Sequence, residues 1–67
     1  YRKVGLNVAY SRKDRHFTQE GLAEVIDVDR STIAKIEGAT AGASMDTLFD
    51  IADALELPAY KLLEFRD

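Results

Sequence analysis

The sequence predicts an all-α domain on three observations. Apolar residues recur three and four positions apart through most of the 67 residues, which is the period of a helix face. No stretch alternates apolar and polar residues long enough to suggest a strand. Thr18, Asp29 and Ser44 stand ahead of periodic segments, where a side-chain oxygen can take an orphan backbone N–H.

Composition narrows the class. The chain is 46% hydrophobic with one proline and four glycines, a composition of packed globules and not of disorder. It has no cysteine and one histidine, His16, so neither disulfides nor a His/Cys metal set supplements the core. A domain this small buries only about 60% of its unfolded surface, so apolar packing carries its stability. No apolar run approaches the roughly 18 residues of a membrane span, and no signal-peptide pattern opens the chain. The expectation is one soluble, cytoplasmic domain over residues 1–67. Tyr1 in place of a methionine predicts a trimmed chain.

Five helical segments follow in order. The first runs from about Lys3 to Asp14, with Val4 and Val8 on one face. The second starts after the Thr18 cap and turns Leu22, Ala23 and Ile26 inward. Phe17, just before that cap, fits a hydrophobic staple. Asp27-Val28 interrupts the second helix, and Asp29 caps a third, Arg30 to Glu37, with Ile33 and Ile36 as its apolar pair. Gly38 to Ala43 is an uncharged loop. Ser44 caps a fourth helix, in which Leu48, Ile51, Ala52 and Leu55 repeat at helical spacing. Pro58 opens a fifth carrying Leu62 and Leu63. Tyr10, Phe17 and Phe49 are expected to pack, Val25 to be exposed, and His16 to serve a turn.

Net charge is −3 and the pI is near 5.0, which at first argues against a nucleic-acid partner. The distribution changes that reading, because the chain is a dipole in sequence, and its division in space depends on the fold. Residues 1–35 hold seven Lys/Arg against five Asp/Glu, a surplus of two positive charges. Residues 36–67 hold two against seven, a surplus of five negative charges.

Residues 19–38, QEGLAEVIDVDRSTIAKIEG, carry the functional signal. Two short helices share a tight turn, and Leu22, Ala23, Ile26, Val28, Ile33 and Ile36 form one inner seam. Ala23 is small enough for the second helix to cross closely. The turn needs a residue that tolerates positive φ, and Asp reaches that region more readily than most non-glycine residues; Asp27 stands there. This is the pattern of a helix-turn-helix, whose second helix enters the major groove.

Three stretches carry a wider pattern: VAYSRKDRHFTQ (8–19), LAEVIDVDRSTIAKIE (22–37) and SMDTLFDIADALELP (44–58), followed by KLL. With them the chain resembles the Cro and phage-repressor class of helix-turn-helix domains, the XRE family, from about Val4 to Leu63. The resemblance implies a compact five-helix, lambda-repressor-like bundle that binds a pseudo-palindromic operator in double-stranded DNA. It also implies a homodimer that regulates transcription, with repression the expected role, and no cofactor or metal. Arg30, Ser31 and Lys35 match positions that face base edges; Thr18, Gln19 and Thr32 match positions that meet phosphate. Arg12 and Glu37 match an internal ion pair between the first and third helices. The chain departs from the family in Asp27 for the turn glycine, Gly21 inside the second helix, Ser11 at an apolar position, and a 38–43 loop without Lys or Arg. Backbone N–H groups of such a loop can still meet phosphate.

Residue chemistry agrees with these roles in part. The Arg30 fork suits guanine O6 and N7, and an amide at a helix start, such as Gln19, suits phosphate. Lys35 suits a base edge, a phosphate or solvent. Leu57, Tyr60, Leu63 and Phe65 are candidates for a dimer surface, although Leu62 and Leu63 would also simply close the core. The alternative function is a protein-interaction module, antitoxin-like, whose acidic C-terminal half engages a protein partner. An enzyme is disfavoured, because no nucleophile–base spacing is present.

Overall fold

Helix α1 (Arg2–Asp14) turns Gly5, Val8 and Arg12 inward, spaced three and four apart as one helix face requires. The chain is a computed structural model in which residues 2–38 and 43–64 are described. Helices α2 (Gln19–Ile26), α3 (Arg30–Glu37) and α4 (Met45–Ala54) follow. A 3-10 segment, Ala59–Leu63, comes last, and no strand occurs among the described residues. The class is all-α, as expected, with one correction to the fifth helix. It is five residues of 3-10, begun by a Lys61 N–H to Pro58 carbonyl bond of 3.1 Å. Its end is held from outside: the Asn7 side chain donates to the carbonyls of Leu62 and Glu64, both at 2.9 Å.

Helix α3 packs on α2 and α1, α4 packs on α2, and the 3-10 segment bridges α1 and α4. Val8, Leu22, Ile33, Ile51, Leu55 and Leu62 are the largest fully buried side chains. Every described element therefore contributes to one core. Tyr10 and Phe49 do not join it. Tyr10 is 75% exposed, because it follows Val8 by two residues, about 200° round the helix. Phe49 is 48% exposed, because Leu48, Ile51, Ala52 and Leu55 already occupy the inward face of α4.

Three corners use one device. His16, Asp27 and Glu56 have φ of 64°, 60° and 57°. After α1 the His16 N–H donates to the Lys13 carbonyl and the Phe17 N–H to the Arg12 carbonyl. Asp27 and Val28 repeat the pair on Glu24 and Ala23, and Glu56 and Leu57 on Asp53 and Ala52. These are Schellman closures, in which a left-handed residue ends the helix and the next residue makes an apolar contact. Phe17, Val28 and Leu57 pack against the core accordingly. Glycine is the usual left-handed residue, yet no described glycine has positive φ.

Glycine serves close approach instead. A Cβ on Gly5 would overlap the Ile36 carbonyl oxygen and lie 2.8 Å from that of Glu37, so α1 touches the last turn of α3 backbone to backbone. A Cβ on Gly21 would lie 3.1 Å from the Thr18 hydroxyl, the group that caps α2. That contact accounts for a glycine inside a helix, where it costs about 1 kcal/mol relative to alanine.

Gly5→Ala is expected to destabilise the domain by about 3 kcal/mol, since a rigid backbone contact must open; urea unfolding measures it. Glu56→Gly is expected to stabilise it by about 0.5–1 kcal/mol through release of left-handed strain, net of the greater freedom of the unfolded chain. The same titration serves, and an unchanged midpoint would mean that Glu56 bears no strain.

Candidate nucleic-acid interface

The surface of α3 is set by what the helix buries. Ile33 and Ile36 point into the core, and at 100° per residue this leaves Ser31 and Lys35 one turn apart on the outward face. Arg30 begins the adjacent stripe and Thr32 lies on the far edge. Arg30, Ser31 and Lys35 are exposed, and Thr32 is half-buried. The residues expected to read bases thus share one exposed side of an eight-residue helix. Asp29 occupies the N-cap position with extended backbone but makes no side-chain capping bond. In this it differs from its expected capping role, and the Thr32 N–H donates instead to the Asp29 carbonyl at 2.9 Å.

Helix α2 presents its N-terminus beside this face. The Thr18 hydroxyl accepts from the Gly21 N–H at 2.9 Å and keeps its own proton to donate. Gln19, half-buried, donates through Nε2 to Glu37 Oε1 at 3.1 Å, which leaves one amide proton for a phosphate. The partnership with Glu37 had no signal in the sequence.

Glu37 is the centre of a polar cluster at the meeting point of α1, α2 and α3. Arg12 Nε donates to Glu37 Oε2 at 2.6 Å and Nη2 to Oε1 at 3.1 Å. Arg12 Nη1 donates to the Phe17 carbonyl at 2.7 Å. The pair's side chains are only 9% and 8% exposed, and no buried side-chain polar atom among the described residues lacks a partner. The ion pair is a planar fork on a carboxylate, the strong form of such a contact. It fixes the C-terminal end of α3 while the N-terminal end stays open to solvent.

A family model for the helix-turn-helix matches residues 8–62. The chain belongs to the helix-turn-helix family, in its Cro and phage-repressor (XRE) branch. The restriction-modification controller protein C.AhdI from Aeromonas hydrophila is a similar solved structure. It matches with a TM-score of 0.86 and 27% sequence identity, covering 90% of this chain and 91% of that one. No curated protein matches the chain in sequence.

As a helix-turn-helix protein, the chain is a DNA-binding transcriptional regulator and not an enzyme. Its motif spans α2, the Asp27 turn and α3, and α3 holds the position of the helix that enters the groove. Two features differ from what the resemblance implies for such a domain. The turn is made by a left-handed Asp27, and the loop following α3 has no Lys or Arg; its residues 39–42 lie outside the described residues. No described helix is long and apolar enough to cross a membrane.

Glu37→Gln removes the charge that Arg12 is buried against. Stranding one member of a buried pair costs about 3–5 kcal/mol, most of the stability of a small domain. Thermal unfolding is expected to show a large fall in Tm. A shift of a degree or two would mean that the pair contributes little.

Proposed function

We propose that the protein is a sequence-specific binder of double-stranded DNA, a repressor of the phage-repressor type, acting in the cytoplasm as a single domain that pairs with itself. The observation that supports this most is the exposure of Arg30, Ser31 and Lys35 together on a helix anchored elsewhere by Ile33, Ile36 and Glu37. A side chain on so firmly held a helix meets base edges at little cost in ordering.

The proposed division of labour follows the chemistry. Arg30, in the first turn, enters the groove first and reads guanine through its two parallel N–H donors. Ser31 adds a hydroxyl that serves as donor or acceptor to a base edge. Lys35 lies more than a turn further on, where its ammonium reaches a base edge or a phosphate. Thr18, Gln19 and Thr32 hold the backbone through neutral donors and orient the domain without reading sequence. Neutral contacts release no counterions, so the salt dependence rests on Arg30, Lys35 and few others.

A helix of eight residues reaches only a few base pairs. Two copies on half-sites about 34 Å apart would double the sequence read. Leu57, Tyr60 and Leu63 give a surface for that pairing: Tyr60 and Leu63 are exposed and Leu57 is half-buried. Leu62, by contrast, is fully buried and closes the core. Phe65, the fourth candidate, lies outside the described residues.

Arg30→Ala and Lys35→Ala are expected to separate reading from holding. The first should cost about 1–3 kcal/mol on an operator duplex and relax preference at one base position. The second should weaken operator and scrambled duplexes about equally and lower the salt slope by about 1. Fluorescence anisotropy at several salt concentrations measures both. If Arg30→Ala leaves the operator-to-scrambled ratio unchanged, Arg30 does not read a base.

A further inference from the structure

Helix α4 carries a face that the DNA-binding reading leaves unused. With Leu48, Ile51, Ala52 and Leu55 turned inward, the helical period puts Asp46, Asp50 and Asp53 along the outward crest. Met45 and Phe49 lie on one flank of that crest, 47% and 48% exposed. On the other flank, towards α2, is a shallow groove lined by Val25, Ile26, Asp27, Asp50, Asp53 and Ala54, in which Val25 is 60% exposed.

The acids here are placed against the local field. Asp27 follows the last residue of α2, and Asp50 and Asp53 lie in the second half of α4, which has no basic residue in its last turn. Helix C-termini carry partial negative charge and favour cations, so Asp27 and Asp53 add to the negative ends of α2 and α4. None of the three has an ion pair among the described residues. A cationic occupant of the groove they line would be attracted by all three.

We propose that the α2–α4 groove and the crest of α4 dock a cationic amphipathic helix of a partner protein. Its apolar side chains would cover Val25, Ile26 and Ala54, and its Lys or Arg residues would meet Asp27, Asp50 and Asp53. Charge complementarity selects this occupant. Phosphate is repelled by the crest, and a twofold-related copy would set one row of aspartates against the other. A helix in a groove supplies anchors at i, i+3, i+4 and i+7. The surface stands independently of base reading by α3.

The test uses the whole chain and a synthetic helical peptide with leucine on one face and lysine elsewhere. Saturable NMR shifts of backbone amides are expected around 25–27 and 49–54. Val25→Ser and the double variant Asp50→Asn/Asp53→Asn should each weaken binding by about tenfold, with operator affinity unchanged. The double variant should also raise Tm by about 2–5 °C, because like charges at a helix C-terminus are removed. That rise separates lost binding from lost folding. The proposal is overturned by absent or non-saturable shifts, by shifts elsewhere, by a fall in Tm, or by equal binding of a peptide with serine in place of leucine. It is overturned equally if Val25→Ser turns a dimer into a monomer, since the occupant would then be a second copy.

Discussion

The Glu37 carboxylate takes hydrogen bonds from Arg12 and Gln19 and so joins α1, α2 and α3 where α3 ends. A carboxylate withdrawn from water must be fully partnered to be tolerated, and here one oxygen receives Nε of Arg12 while the other receives Nη2 and the Gln19 amide. The same guanidinium reaches the Phe17 carbonyl in the corner between α1 and α2. Through Gln19 and Glu37 the cluster links the start of α2 to the end of α3, the two helices of the motif. The scaffold and the proposed binding surface therefore share Gln19, and a change at Glu37 is expected to act on both.

Close packing around the cluster depends on glycines used for size and on larger residues used for turns. Gly5 lets the backbone of α1 rest on the carbonyls of Ile36 and Glu37, within one turn of the ion pair. The corners, which glycine would suit, are held by His16, Asp27 and Glu56 at positive φ. Left-handed backbone disfavours residues with a Cβ. It persists here because each corner is closed by two backbone bonds and an apolar plug, Phe17, Val28 or Leu57. Stability is thus spent at the helix ends and recovered from the core.

The helix limits were legible because their signals are local. Thr18 and Ser44 cap as their chemistry predicts, accepting from Gly21 and Thr47, and Asp27 takes the left-handed turn. The inward faces of α2, α3 and α4 follow from period alone. Tyr10 and Phe49 were misjudged because aromatic character outweighed angular position. The 3-10 form of Ala59–Leu63 was hidden because it depends on Asn7, which is 55 residues away from Leu62 in sequence. The Gly5 contact and the Gln19–Glu37 bond were hidden for the same reason: nothing within one turn of either residue announces a partner on another helix. Arg30, Ser31 and Lys35 were legible as a group once the period of α3 placed Ile33 and Ile36 inward.

Charge is divided along the sequence. Basic residues concentrate in residues 1–35 and acidic residues in residues 36–67, but the motif itself, residues 19–38, holds only Arg30 and Lys35 against Glu20, Glu24, Asp27, Asp29 and Glu37. General attraction to the backbone carries no sequence information, so specificity must come from base contacts. Selection of duplexes from a random library therefore tests the central claim most directly. The account predicts enrichment of a pseudo-palindrome with half-sites about one duplex turn apart, lost when α3 carries Arg30→Ala with Lys35→Ala. A pool that remains random after repeated rounds would contradict it.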